Sequence, residues 1–480
     1  MSVRVSSESA RLMVGDGSGL PPPGEAGDFA SYRRLAHYAV PLVLSYSAGV
    51  ILQFTDRMFL AWHSPESVAG AGAAGMIAIC FVGFATVTVS FTSVFTAQYV
   101  GAGRPGRLGP VVWQGWYLSI LFGLATLLLS FFAQPLFDWI GHGPAVRQAE
   151  VDYFAAYMQG GVAFMLAGVM MAFFMGRGDN RVVMVAQVAG IVANTFLDYA
   201  MIFGKFGFPA WGVAGAAWAT NLSQVLVLLI GMALFWKTDF RRRFATWSGR
   251  GLEPGLCRRI LRYGAPSGLR AIIELVMWSM FLGLIGLLGD TELAASNVAF
   301  TINSLAWQPM VGVSMAVSML VGKAQGAERP DLSRLAMWRG VTLAQAWETV
   351  AAVLFVVFPD FFLGLFFNAI EDAGQREILM AEGRMLLWFV AAYSLLDALN
   401  VVFAQGLIGA GDSWWTSKAT FVVAVAGVLA MLALTRLDAG LWAYWLVATL
   451  YIAVSGVVWL WRYREGSWEK MKVVETVVVE

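Results

Sequence analysis

The stretch "GAGRPGRLGP", residues 101–110, follows a long apolar run. A similar stretch, "GAERP" at 326–330, follows a second apolar run at an offset of 225 residues. The same offset places Pro41 on Pro266, and each proline lies near the start of an apolar run. Two matches at one offset predict that the chain is a tandem repeat of two similar halves.

The composition predicts that both halves lie in a membrane. Of the 480 residues, 59% are hydrophobic and 13% are charged, whereas a soluble domain has about a quarter charged residues. A membrane-spanning helix needs roughly 20 mostly apolar residues. Twelve such runs lie near residues 36–60, 68–98, 111–134, 150–175, 182–203, 211–236, 260–288, 293–322, 335–358, 381–408, 416–435 and 440–461. We therefore predict an all-α integral membrane protein with twelve transmembrane helices in two pseudo-symmetric six-helix lobes.

The distribution of positive charge predicts the orientation of the chain. Most of the 32 Lys and Arg residues lie in the tails and in alternate loops on the same side. Because this excess marks the cytoplasmic side, we expect both termini in the cytoplasm and the protein in the cell's inner membrane. The predicted parts are a disordered cytoplasmic tail (1–32), an N-lobe (33–237), a cytoplasmic linker (238–258), a C-lobe (259–462) and a cytoplasmic C-terminal tail (463–480).

Several functional classes lack their signatures in this sequence. A net charge of +1 argues against nucleic-acid binding. No GxxxxGK[ST] motif is present, so the chain carries no nucleotide-driven motor, and neither HExxH nor GxSxG occurs. We expect no enzyme activity, no cofactor and no metal beyond a coupling Na⁺. Repeated lobes with a site at their interface are typical of secondary transporters.

Acids within the apolar runs are costly and are therefore functional candidates. Asp56 lies in "VILQFTDRMFLAW", 15 residues after Pro41, which is about 22 Å along a helix. Its counterpart in the second half is Phe281, so the position does not require an acid. Asn194 and Asp198 are four residues apart and share a helix face. An amide and carboxylates that face one cavity can share a proton or hold a small cation, or they can form hydrogen bonds between helices.

The second half offers a different set of acids. Tyr393 and Asp397 again share a helix face and suit a cation or proton site. Glu274 follows Arg270 by four residues, so the pair can equally be a structural ion pair. Glu348 has no clear polar partner at helical spacing, and its role stays open between function and structure.

Four helices together resemble the multidrug and toxic compound extrusion (MATE) family. They read "LAHYAVPLVLSYSAGVILQFTDRMFLAW", "ANTFLDYAMIFGKFGFPAWGVAGAAWAT", "GAPSGLRAIIELVMW" and "SLLDALNVVFAQGLIGAGD". The resemblance covers roughly residues 33–462 and implies an efflux antiporter that exports cationic, amphipathic compounds in exchange for Na⁺ or H⁺. Membrane lipids are further expected partners, and we expect a monomer.

The resemblance also implies roles for individual residues. Asp56, Asn194 and Asp198 would form the N-lobe cation or proton site. The C-lobe site for cation or substrate would contain Glu274, Tyr393 and Asp397. Pro41 and Pro266 would provide helix bends, since proline breaks the hydrogen-bond ladder.

Two arginines depart from the family pattern. Arg57 follows the first-helix acid, and Arg270 precedes the C-lobe acid by one turn. Either arginine could tie down its neighbouring carboxylate and leave one lobe active.

Two other functions remain as alternatives. A lipid-linked oligosaccharide flippase shares the superfamily fold, but it would need a basic cavity, and Arg270 is the one arginine well inside a predicted helix. A membrane-embedded enzyme or assembly factor would need paired catalytic groups on a surface loop, and the sequence offers none.

Overall fold

The computed structural model describes residues 29–368 and 370–475, and these residues form helices and loops without a β-strand. Most of the predicted disordered tail, 1–32, lies outside the described residues. The first half contains α1 (Tyr32–His63), α2 (Pro65–Ser90), α3 (Thr92–Gly101), α4 (Leu108–Ser130), α5 (Ala133–Ile140), α6 (Pro144–Gln159), α7 (Val162–Arg177), α8 (Asn180–Phe203) and α9 (Gly212–Phe235). The second half contains α10 (Thr238–Arg243), α11 (Pro254–Gly286), α12 (Asp290–Gly326), α13 (Pro330–Val357), α14 (Pro359–Phe367), α15 (Ala373–Ala410), α16 (Ser413–Arg436) and α17 (Leu441–Glu465).

Within the described ranges, eleven helical segments are long and apolar enough to cross a membrane. The pair α6 and α7, bent by 45° at the break between them, makes a twelfth span. The prediction of an all-α protein with twelve spans in two lobes is confirmed. The helices extend beyond several predicted apolar runs, because hydrophobicity marks the part that contacts lipid and not the turns that project from it.

Proline and glycine set many of the helix ends. Proline has no backbone N–H to lose at the first helical position, and glycine adopts the left-handed conformation that ends a helix. Helices with proline in the first turn are α2, α6, α11, α13 and α14. Helices that end at a left-handed glycine are α5, α7, α8, α15 and α17.

The two lobes cross where the repeated glycines lie. A Cβ atom added to Gly101 at the end of α3 would lie 1.9 Å from the carbonyl oxygen of Lys323. A Cβ atom added to Gly326 at the end of α12 would lie 1.9 Å from the carbonyl oxygen of Gln98. These contacts are reciprocal because the 225-residue offset relates Gly101 to Gly326 and Gln98 to Lys323. The repeat seen in the sequence is therefore a two-fold contact in space.

The first helix of each lobe packs against the second long span of the other lobe, α1 against α12 and α11 against α2. Glycines again permit the close approach. A Cβ atom on Gly312 would lie 2.5 Å from the backbone nitrogen of Val43, and one on Gly264 would lie 2.2 Å from the carbonyl oxygen of Thr88. These contacts join the lobes along the half of the bundle nearest the face on which α1 begins and α17 ends, which we call the terminal face.

The segment after α17 packs across the terminal face. Trp468 is fully buried, and its backbone carbonyl accepts a hydrogen bond from Gln325 at 3.1 Å. The backbone nitrogen of Val473 donates to Gln98 Oε1 at 2.9 Å. Gln325 belongs to the C-lobe and Gln98 to the N-lobe, so the segment contacts both lobes.

Glu475 extends this bridge with charged contacts. Its carboxylate accepts hydrogen bonds from Tyr99 at 2.6 Å and from Arg259 at 2.5 Å, and its backbone carbonyl accepts one from Arg104 at 2.9 Å. Burial would raise the pKa of Glu475, but the hydrogen bonds from Tyr99 and Arg259 outweigh it and hold the pKa at about 2. Because its pKa is lowered, the ionised Glu475 carboxylate stabilises the folded protein fully at a pH above the ordinary glutamate pKa. This stabilisation is lost as the pH falls toward 2. The contact is therefore intact at physiological pH.

The glycine crossing predicts the effect of a single methyl group. Gly101→Ala should destabilise the protein by about 1–3 kcal/mol, because the new Cβ atom would overlap the Lys323 carbonyl. Gly72→Ala is a matched control, since a Cβ atom there has no neighbour within 4 Å among the described residues. Thermal unfolding of both purified variants tests this. Equal melting temperatures for the two variants would show that the lobes do not cross closely at Gly101.

The contacts of Glu475 predict local release of the C-terminal segment. Glu475→Gln removes the charge that pairs with the arginines, so residues 466–475 should exchange amide hydrogens faster. Hydrogen-exchange mass spectrometry of the full chain measures this. Glu377→Gln, an exposed acid on α15, is the control and should leave exchange in that segment unchanged. Unchanged exchange in the Glu475 variant would contradict the proposed bridge.

Candidate functional site

Three polar side chains of the N-lobe meet inside the helix bundle. Asp56 comes from α1, and Asn194 and Asp198 come from one face of α8. Asn194 and Asp198 have no exposed surface, and Asp56 is mostly covered. The carboxyl groups of Asp56 and Asp198 lie within hydrogen-bonding distance of each other. The structure thus brings together the three residues predicted for the N-lobe.

The amide of Asn194 connects the two carboxyl groups. The hydrogen-bond pattern assigns its nitrogen to their side, where it lies 2.9 Å from Asp56 Oδ1 and 2.9 Å from Asp198 Oδ2. In this orientation the amide oxygen accepts from the backbone nitrogen of Thr220 at 3.2 Å. A half-turn of the amide instead points its nitrogen at the Thr220 hydroxyl, at 3.3 Å, and its oxygen at the carboxylates. The site can therefore offer either a donor or a third oxygen to whatever the carboxylates hold.

Asp198 retains unused binding capacity. Its Oδ1 atom is buried and has no hydrogen-bond partner in the part of the chain that the structure describes. Buried polar atoms are nearly always paired, so an orphaned carboxylate oxygen is consistent with a site for a proton or a cation.

Two tyrosines of α6 lie beside this cluster. The rings of Tyr153 and Tyr157 stack at 5.9 Å, and both are close enough to Asp56 to interact with it electrostatically. The sequence alone did not single out these tyrosines or Thr220. The i,i+4 spacing of the tyrosines was the available signal, but nothing in the sequence places α6 near Asp56.

Arg57 does not restrain Asp56. Its side chain is exposed and makes no ion pair with any described residue. The alternative in which Arg57 ties down the first-helix acid is therefore not supported.

A cavity of about 740 Å³ lies between the lobes. Its walls combine aromatic rings, amides and methionines, including Trp278, Trp307, Gln53 and Met315. Glu274 and Asp397 also line it, whereas Asp56, Asn194 and Asp198 are not among its lining residues. The acids of the two lobes therefore occupy different surroundings.

Arg270 and Glu274 form an ion pair in the cavity wall. Arg270 Nη2 donates to Glu274 Oε1 at 2.7 Å, and Arg270 Nε donates to Thr420 Oγ1 at 3.2 Å. The guanidinium carbon also lies 5.7 Å from the centre of the Trp459 ring. The i,i+4 spacing had left a structural ion pair open, and that pair is present.

Asp397 is held by a chain of hydrogen bonds. Asn400 donates to its Oδ1 atom at 2.8 Å, and Trp459 donates to the Asn400 carbonyl oxygen at 2.8 Å. No arginine is paired with Asp397 within the described ranges. Asp397 is thus the cavity carboxylate that forms no ion pair with a described cationic residue.

Glu348 lies deeper in the C-lobe. It is 1% exposed, its neighbours include Ser394 and Asp397, and its Oε1 atom has no hydrogen-bond partner among the residues described. The hydroxyl group of Tyr393, 2% exposed, also lacks a partner within those limits. Tyr393 therefore lies behind Asp397 with Glu348 and not on the cavity surface.

Both predicted bend prolines lie inside helices, Pro41 in α1 and Pro266 in α11. Ser45 donates to the Pro41 carbonyl at 2.8 Å, and Ser417 donates to the Pro266 carbonyl at 2.5 Å. Side-chain donors thus contact the carbonyl of each proline itself, whereas the carbonyl that loses its hydrogen bond lies four residues earlier. Bending at these positions stays a prediction.

A two-lobed helical bundle with buried acids and a cavity at the lobe interface defines a membrane transporter. The model of the family described as MatE matches residues 41–200 and 266–432. The chain belongs to this family, the multidrug and toxic compound extrusion transporters. It is a multi-pass integral protein of the bacterial inner membrane and not an enzyme.

The chain is similar to several multidrug resistance proteins. It is 27% identical over 395 residues to the "Probable multidrug resistance protein NorM" of Burkholderia pseudomallei, covering 82% of this chain and 83% of that protein. It is also 27% identical over 390 residues to the "Multidrug resistance protein PmpM" of Pseudomonas aeruginosa, covering 80% of each.

Among solved structures, a multidrug resistance MATE family transporter in an outward-facing conformation superposes with a TM-score of 0.82. It is 19% identical in sequence, and the match covers 94% of this chain and all of that one. At this identity the likeness supports the fold.

The surroundings of Glu348 predict an unusual response to substitution. An unpaired buried polar group costs about 1–3 kcal/mol, so Glu348→Met should raise the melting temperature of the protein. Gln345→Met, one turn earlier on α13 and half-buried, is the control and should leave the melting temperature nearly unchanged. Thermal unfolding of both purified variants measures the difference. A large loss of stability in the Glu348 variant would show that the carboxyl group has structural partners instead.

Proposed function

We propose that this protein is a secondary active multidrug efflux antiporter that exports cationic amphipathic compounds in exchange for Na⁺ or H⁺. The observation that carries the proposal is the separation of two acidic sites. One is a buried three-residue cluster in the N-lobe, of a size that suits a small ion, and the other is an aromatic cavity of about 740 Å³ between the lobes.

The N-lobe cluster suits either coupling ion. Two adjacent buried carboxyl groups share one proton readily, and the amide nitrogen of Asn194 then donates to both. Na⁺ would instead need oxygen ligands, which a half-turn of the Asn194 amide provides together with Asp56 and Asp198. In that orientation the Thr220 hydroxyl oxygen would accept a hydrogen bond from the amide nitrogen of Asn194.

The cavity suits an apolar cation. Trp278 and Trp307 offer ring faces to a positive charge, and methionines provide an adaptable apolar wall. Asp397 supplies a carboxylate without a cationic partner in the described chain. These features favour a cationic compound over a lipid phosphate. A phosphate group would need more than one arginine, and Arg270, the arginine that lines the cavity among the described residues, is already paired with Glu274.

Helix α1 can couple the two sites. Gln53 lines the cavity, and Asp56, three residues later, faces the buried cluster. Neutralising Asp56 with a proton or Na⁺ would remove charge from the N-lobe and change the forces on α1 near the bound substrate. A bend at Pro41 would then let the lobes rock, with Pro266 as its counterpart in the C-lobe.

The lobes are in contact on the terminal face, through the glycine crossing and Glu475. If the termini are cytoplasmic, as the distribution of positive charge predicts, this is an outward-facing state. Transport then requires that these contacts break while contacts on the opposite face form.

Substitution of Asp56 tests the coupling role. Asp56→Asn should lower the rate of gradient-driven transport of a fluorescent cation into liposomes at least about tenfold. The reason is that the cluster can no longer carry the coupling charge. The protein should remain folded, since the amide occupies the same volume. Imposing Na⁺ and H⁺ gradients in turn identifies the coupling ion.

Asp152→Asn is the control for this experiment. Asp152 is an exposed acid on α6 that accepts a hydrogen bond from Gln148 at 2.9 Å, so its variant should transport like the unmodified protein. Normal gradient-driven transport by the Asp56 variant would exclude the N-lobe cluster as the coupling site. Transport of a lipid-linked sugar in place of a cation would favour the flippase alternative.

A further inference from the structure

We propose that Arg270 limits the substrates of the central cavity to compounds with a single positive charge. This inference rests on the proposed function, since it concerns the same cavity, and it names the charge class of the exported compound.

The first step is the position of Arg270. Its side chain is 11% exposed, and partners from three helices hold it in place: Glu274 on α11, Thr420 on α16 and Trp459 on α17. Glu274 is more open, with a side chain 37% exposed. The guanidinium is therefore a fixed part of the cavity wall and not a mobile surface group.

The second step is a count of charges. Among the lining residues of the described chain, the charged ones are Arg270, Glu274 and Asp397. The acids of the N-lobe cluster are not among those residues, so they do not touch a compound in the cavity. Arg270 neutralises Glu274, and the cavity keeps the one negative charge of Asp397.

The third step is the consequence for a ligand. Charges attract and repel more strongly in a partly desolvated site than in water, so a bound compound should bring the total charge close to zero. A compound with one positive charge does this beside Asp397. A compound with two positive charges leaves one of them without a partner and places it near the Arg270 guanidinium.

Arg270 is therefore a specificity-determining residue that acts through Glu274. Without it, Glu274 would be free to attract a second positive charge. With it, that acid contributes shape and hydrogen bonding but no net charge.

Two dyes provide a matched test, since ethidium and propidium share one ring system but carry one and two positive charges. Their affinities are measured by fluorescence with the purified full chain. The unmodified protein should bind ethidium at least about tenfold more tightly than propidium. Arg270→Gln should lower the preference for ethidium over propidium by about tenfold, because the cavity then carries two negative charges and can bind a dication.

Two further variants separate charge from structure. Arg270→Lys keeps the positive charge and should keep the preference for ethidium. The double variant Arg270→Gln with Glu274→Gln again leaves one negative charge, so it should restore that preference. A purely structural role of Arg270 would not be rescued by removing its ion-pair partner.

Each outcome decides the proposal. The same dye ratio in the unmodified protein, Arg270→Gln and the double variant would overturn the role of Arg270 but leave cation export standing. Propidium binding as tightly as ethidium to the unmodified protein would also overturn it. Failure of the unmodified protein to bind either dye would contradict both this inference and the proposed substrate class.

Discussion

Compensation of buried negative charge is the constraint on which this structure depends. An acid within the lipid-spanning region is tolerated when it is protonated, paired or hydrogen-bonded. The protein uses a different solution for each acid. Asp56 and Asp198 share the Asn194 amide, Glu274 has Arg270, and Asp397 has Asn400. Each solution leaves a different amount of charge available, and the proposed function assigns ion coupling to the N-lobe and substrate binding to the cavity on that basis.

The scaffold is symmetric while the chemistry is not. The repeated glycines cross in a reciprocal pair, so both halves contribute equally to the contact between the lobes. Yet the position of Asp56 is taken in the C-lobe by Phe281, which is fully buried and packs at 5.7 Å against Trp278 and Trp445. A carboxyl group in one lobe thus replaces an aromatic ring in the other. The fold does not need Asp56, and this favours a task in ion coupling.

The sequence predicts the helical fold well because its signals are local. Apolar runs identify the spans, and the offset between Gly101 and Gly326 identifies the two halves. The pairs Asn194–Asp198 and Arg270–Glu274 were found for the same reason, since helical spacing alone brings their members together.

Partners from distant helices could not be found this way. Tyr153 and Thr220 approach the Asp56 cluster, and Ser394 approaches Glu348, through packing that no local pattern encodes. The same holds for Glu475, whose partners lie hundreds of residues earlier in the chain. The exposure of Arg57 was equally open, because an arginine next to an acid can turn toward it or away from it.

An antiporter of the proposed kind releases an ion from the N-lobe cluster when a cationic substrate binds in the cavity. Linkage requires that a substrate which weakens ion binding also displaces the ion at equilibrium. The direct measurement adds a lipophilic monocation to purified protein and counts released protons in weak buffer, or released radioactive Na⁺. We expect release of about one ion per bound cation from the unmodified protein and none from Asp56→Asn. Equal release from both proteins would contradict it.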